Sequence, residues 1–88
     1  MKISVDNYSE EELQEEGVFD WPVRKLGEEK IDWYYEETEL CYIVEGEADI
    51  TTEFEAITVR AGDFVTLPKG LECVWDVEDE IEMHYSCE

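Results

Sequence analysis

The strongest constraint in this chain is an alternation of apolar and polar residues with a period of two, broken at intervals by glycine. Leu71, Cys73, Trp75 and Val77 fall on one side of the alternation, with Glu72 and Asp76 on the other. Ile81, Met83, Tyr85 and Cys87 repeat it against Glu82, His84 and Ser86. Successive side chains of an extended strand point to opposite faces, so this spacing describes strands with one face buried and one wet. Residues 23–26, 30–35, 38–44, 47–52, 56–60 and 63–67 are further strand candidates. Turns are expected at Gly27, Glu45-Gly46, Ala61-Gly62 and Pro68-Lys69-Gly70, where glycine and proline favour chain reversal. The 53–55 reversal has no glycine, asparagine or proline. Many short strands at close intervals indicate a sandwich or barrel.

One helix is expected, over residues 9–16. Ser9 can cap it, Glu12 sits at the capping-box position, and Gly17 ends it. Residues 18–22 then read as an edge strand or extended arm, because Pro22 cannot donate to a ladder. The 38–44 segment is apolar on both faces, with Leu40, Tyr42 and Val44 opposite Cys41 and Ile43. Both sides of that strand therefore need cover. Either the arm carrying Phe19 and Trp21 supplies the outer cover, or a second subunit does, and an isologous homodimer is the expectation.

With 88 residues the chain is one domain, read as a lead and arm over residues 1–20 and a barrel over residues 21–88. Against 6 Lys and Arg stand 26 Asp and Glu, a formal charge of −20. Nucleic acid and anionic membranes would be repelled, so neither is an expected partner. A solubilising surface, a high-salt source or a docking face for a basic partner would each account for the excess. No apolar run reaches the roughly 18 residues of a membrane span, and residues 1–5 do not open a secretion signal. A cytoplasmic location is expected, with Cys41, Cys73 and Cys87 as free thiols.

Two motifs give the chain a family resemblance. The first reads Gly27, five residues, Trp33, one residue, Tyr35, three residues, Glu39, six residues, Gly46. The second reads Gly62, five residues, Pro68, one residue, Gly70, two residues, Cys73, three residues, Val77. These resemble the two motifs of the cupins, G-x5-H-x-H-x3,4-E-x6-G and G-x5-P-x-G-x2-H-x3-N. Every glycine, the proline and the glutamate are in place, but Trp33, Tyr35 and Cys73 stand at the histidine positions and Val77 at the asparagine. The segments EGVFDWPV, DWYYEETELCYIVEG and GDFVTLPKGLECVWDV look like the small cupins related to the ureidoglycine aminohydrolase cupin domain. The resemblance implies an all-β cupin fold, a double-stranded β-helix or jelly-roll barrel with one short N-terminal helix. It also implies that Trp33, Tyr35, Glu39 and Cys73 line the barrel mouth. By strand alternation Cys41 and Trp75 join them.

No metal or other cofactor is expected at these positions. Indole is not a ligand, phenol suits hard ferric iron, and Glu39 with Cys73 gives two donors where a site needs three or four. The single histidine, His84, falls on the polar face of its strand. Glu39 reads either as a structural carboxylate satisfied by a tyrosine or backbone N–H, or as a ligand anchor or general acid/base. Trp33, Tyr35 and Trp75 read as core filling or as aromatic walls. Cys73 lacks an evident basic neighbour to activate it, and Glu39 nearby would raise its pKa.

Three functions follow. The first is a metal-free cupin binding a small molecule, cationic or ureido-type, by cation–π attraction and a charge-assisted hydrogen bond. The second is a hydrolase or isomerase of a small ureido or sugar-like compound, with Glu39 as acid/base and Tyr35 assisting. The third is an interaction module whose barrel is filled.

Overall fold

A computed structural model describes residues 2–88. In chain order the elements are β1 (Ser4–Asp6), α1 (Glu10–Glu15), a 3-10 turn (Val18–Asp20), β2 (Val23–Leu26), β3 (Glu29–Tyr34), β4 (Glu39–Thr51), β5 (Ala56–Arg60), β6 (Phe64–Leu67) and β7 (Glu72–Cys87). All seven strands belong to one antiparallel sheet. The all-β cupin fold with a single short α-helix is thus the architecture observed.

Strands β4 and β7 organise the sheet. They pair from Glu39↔Cys87 to Thr51↔Val74. The first half of β4 also pairs with β6 and its second half with β5. Likewise β3 pairs with the first half of β7 and β2 with the second. The core runs through both halves and includes Cys41, Ile43, Ala48, Ile50, Val65, Leu67, Trp75, Val77, Ile81 and Met83.

Several sequence expectations need correction here. Glu45-Gly46 is not a turn, and the two expected strands 38–44 and 47–52 are one, β4 (Glu39–Thr51). The register shifts between Ile43 and Glu45, a β-bulge with Val44 left over, and again between Gly46 and Ala48, where residues 78–80 of β7 stand against Glu47 alone. An unpaired residue shifts the alternation, so the inward side chains change from odd (Cys41, Ile43) to even (Ala48, Ile50). That phase change resembles a strand end in the sequence. Residues 72–77 and 81–87 are similarly parts of one long β7. Residues 18–22 are not an extended strand: a 3-10 turn over Val18–Asp20 leads into Trp21, which is extended before Pro22. A three-residue β1 pairs with β6, too short to show a period, and places Ile3 in the main core.

The helix has its expected capping box. The Ser9 hydroxyl accepts from the Glu12 N–H at 3.2 Å and the Ser9 N–H donates to Glu12 Oε1 at 3.3 Å. Leu13 of α1 and Val18 of the turn pack on Phe64, with Trp21, Leu40 and Tyr42 around them. The chain therefore covers much of the outer face of β4 itself. The reason for expecting a second subunit there is left to Val44, which is 40% exposed. The unpunctuated 53–55 reversal uses Thr52, whose hydroxyl accepts from the Phe54 and Glu55 N–H groups at 3.1 and 3.0 Å.

Gly46 shows why a bulge needs glycine. Its φ is +93°, and a Cβ there would overlap the Glu80 carbonyl and lie 2.8 Å from Ile81 Cα, both backbone atoms. Gly62 has a φ of +96° but open space around the same position. Gly46→Ala should therefore cost about 3 kcal/mol or more, and Gly62→Ala only the left-handed penalty of about 1–2 kcal/mol. Urea unfolding of the two variants checks the order; equal losses would show that the close approach to β7 does not matter.

Candidate functional site

The first residue of β4 is the centre of the barrel mouth. Glu39 is 3% exposed, although it is a carboxylate. A buried charge needs a partner, and the partner is Arg24 of β2. Arg24 Nη1 lies 2.8 Å from Glu39 Oε2 and Nη2 lies 3.1 Å from Oε1, a two-pronged ion pair. The Cys41 thiol also donates to Oε2 at 3.0 Å, and the Cys87 sulfur lies 3.9 Å from Oε1. Glu39 is thus satisfied by a guanidinium and thiols rather than by a tyrosine or a backbone N–H.

The guanidinium sits between two aromatic rings. Its carbon is 4.6 Å from the Trp33 ring centre and 4.0 Å from that of Tyr85. Although burial alone would lower the Arg24 pKa, its hydrogen bonds and attraction to Glu39 raise it overall, so the group stays charged. Trp33 stacks on Tyr35 at 5.7 Å between centroids and 8° between planes. Behind them the Trp75 indole N–H donates to the Tyr35 hydroxyl at 2.9 Å. Burial raises the Tyr35 pKa above the ordinary phenol range.

The six residues picked from the sequence are divided by the structure. Trp33, Tyr35 and Glu39 meet at an open cleft of about 690 Å³, whose rim carries Tyr34, Glu36, Glu37 and Cys87. Cys73 borders a different cleft, of about 530 Å³, together with Trp33, Asp32, Glu53 and Glu72. Cys41 and Trp75 lie in the core beneath. Cys41, Cys73 and Cys87 are free. Burial pushes the Cys73 thiol up to about 11, with Glu39 adding to the shift and Trp75 opposing it. Burial and the adjoining Glu39 raise Cys41 further.

Arg24 and Tyr85 were not among the residues singled out. A signal for Arg24 was present: it shares strand parity with Leu26, which packs on the core. Charge hid it, because an arginine is ordinarily placed on the wet face. His84 does fall on the outer face of β7, but it is not free in solvent. Its Nδ1 lies 3.0 Å from the Trp21 carbonyl and its ring meets Phe19 edge-on at 5.8 Å. It helps hold the N-terminal arm down.

Residues 13–85 match the EutQ-like cupin domain. The chain belongs to this cupin family. A crystal structure of a DUF861 family protein from Thermotoga maritima is 36% identical, covers 99% of this chain and 100% of its own, and superposes with a TM-score of 0.95. The Clostridium difficile EutQ protein is 19% identical over 97% of this chain, with a TM-score of 0.69, and this chain spans 66% of that protein. A cupin-2 domain containing protein from Shewanella frigidimarina is 23% identical over 72% of this chain and 63% of its own, with a TM-score of 0.63. These last two likenesses carry the fold alone. No curated protein matches the chain.

The donor set of this cupin does not fit the divalent metal that many cupins hold. The histidine positions carry Trp33, Tyr35 and Cys73, and the remaining carboxylate is already paired with a guanidinium. Positive charge is thus supplied to Glu39 by Arg24.

Two predictions follow from this geometry. Glu39→Gln should lower stability by about 2–4 kcal/mol, because it leaves a partly buried guanidinium unpaired. Arg24→Met combined with Glu39→Gln should recover part of that loss, and urea unfolding of the four proteins gives the coupling; additive losses would mean the pair is not a unit. The raised thiol pKa of Cys73 means that the fold holds this proton more tightly than the unfolded chain does. Its contribution is complete below pH 9 and is lost as pH rises towards 11. Cys73→Ala should flatten the alkaline fall of the unfolding midpoint between pH 9 and 11; an unchanged slope would remove Cys73 from it.

Proposed function

We propose that the chain binds a small neutral ureido- or amide-type molecule in the cleft over Glu39, without a metal. The observation that carries this reading is the Arg24–Glu39 pair walled by Trp33 and Tyr85. A slot of this kind suits a planar cation, and Arg24 is already that cation. A free cation would have to displace it. A urea or amide need not: its N–H groups can donate to the Glu36 and Glu37 carboxylates of the rim, its plane can lie on Trp33, and its carbonyl can face the part of the Arg24 guanidinium left exposed beside the cleft. The resemblance to the ureidoglycine aminohydrolase branch supports the same class of ligand.

Binding is preferred to hydrolysis on chemical grounds. Glu39 has its oxygens committed to Arg24 and thiols, and Tyr35 has a raised pKa and a hydrogen bond from Trp75. Tyr35 is therefore not poised to exchange a proton near neutral pH, and Glu39 has no oxygen left uncommitted for a substrate. One observation favours the interaction-module reading instead: the barrel interior behind the cleft is packed with Tyr35, Trp75, Ile43 and Met83.

Trp33 borders the cleft, so tryptophan fluorescence and calorimetry can follow titrations with N-methylurea, acetamide, guanidinium and acetate. The neutral compounds should saturate and guanidinium should bind more weakly. Arg24→Gln should weaken N-methylurea binding by about 1.5 kcal/mol or more, the range for a hydrogen bond to a charged group. Saturation by none of the four would favour the filled-barrel module, and release of ammonia from a urea would favour the enzyme.

A further inference from the structure

The outer face of β4 carries a second cleft, on the opposite side of the strand from Glu39. Leu40 points into it, whereas Glu39 and Cys41 point into the barrel. The cleft holds about 280 Å³, close to the small end of the roughly 300–1,000 Å³ usual for ligand sites. Three aromatic rings, packed against one another, line it. Phe64 lies in the middle, with Tyr8 meeting it edge-on at 5.1 Å and Trp21 tilted against it at 6.2 Å. Leu13 and Leu40 complete the apolar lining.

The rim is acidic. Glu12 is committed to the capping box with Ser9, but Glu15 and Glu16 are exposed at the end of α1 and line the same cleft. Carboxylates at a helix C-terminus run against the helix dipole, so a cation placed there would be favoured by both the side chains and the helix end. Ring faces attract cations through their quadrupoles, and aromatic boxes recognise alkylammonium groups in this way. The barrel mouth differs, because Arg24 already fills its cation slot.

We propose that this outer cleft is a binding site for a small alkylammonium compound, with Tyr8, Phe64 and Trp21 as the aromatic lining and Glu15 and Glu16 as the counter-charges. A second copy of the chain is a poor occupant, because each copy carries a formal charge of −20. A purely apolar guest would leave the carboxylates without a role. The site is independent of the ligand proposed for the mouth, since it uses the other face of β4.

Choline and its neutral isostere 3,3-dimethylbutan-1-ol test the proposal, with ring resonances of Tyr8 and Trp21 followed by NMR at fixed moderate salt. Choline should saturate and shift both rings, and the alcohol should bind at least about tenfold more weakly. Tyr8→Ala, at a side chain 42% exposed, should weaken choline binding by about three- to tenfold without loss of folding. Glu15→Gln with Glu16→Gln should also weaken it. Glu78→Gln with Asp79→Asn, which removes the same charge from the surface of β7, should not. Saturating N-methylurea should leave choline binding unchanged, which separates this site from the mouth. Equal binding of the alcohol, equal effects of the two charge-removing pairs, or no saturation would each overturn the proposal.

Discussion

The antiparallel pairing of β4 with β7 is the interaction on which the rest of this small barrel depends. Every other strand except β1 is hydrogen-bonded directly to one of these two, and β1 hangs from β6. The pair is long because its bulges are tolerated rather than avoided. Gly46 lets β4 pass against the Glu80 carbonyl, where any side chain would collide. Across these irregularities the inward side chains of β4 change from odd to even once, while those of β7 keep their parity. The same two strands also set the mouth, since Glu39 lies at the start of β4 directly opposite Cys87 near the end of β7.

Within that frame the mouth is arranged around one buried carboxylate. An ionised group in so small an interior would be costly unless its charge were met. Arg24 meets it with two hydrogen bonds, and Trp33 and Tyr85 hold the guanidinium between them. From the sequence alone, a cation, an aromatic wall and a carboxylate describe one reading of the ligand and its site. In the structure, the protein supplies all three. This is why the ligand we propose for the mouth is a neutral group able to both donate and accept rather than a cation.

The N-terminal segment has a comparable double role. By packing Leu13, Val18 and Trp21 on the outer face of β4 it covers apolar surface that would otherwise face water. His84 and Phe19 help pin it there. The same packing leaves a cleft lined by Tyr8, Phe64 and Trp21 beside the acidic end of α1.

Much of the fold was legible in the chain because strand alternation, capping and glycine placement are local. The capping box of Ser9 and Glu12, the turns at Gly62 and Gly70, and the inward faces of β7 could be read residue by residue. So could the cupin spacing from Gly27 to Gly46 and from Gly62 to Val77. The continuity of β4 could not, because a bulge changes the phase of the alternation just as a strand end does. β1 could not, because three residues carry no period. At the mouth, the sequence identified Glu39, Trp33 and Tyr35 but did not indicate that Cys73 opens into another cleft. It also passed over Arg24, fifteen residues from Glu39 along the chain. Local pattern decides which face of a strand a residue occupies. Which charge neutralises a buried carboxylate depends on which strands the folded sheet brings together, and only the tertiary structure determines that.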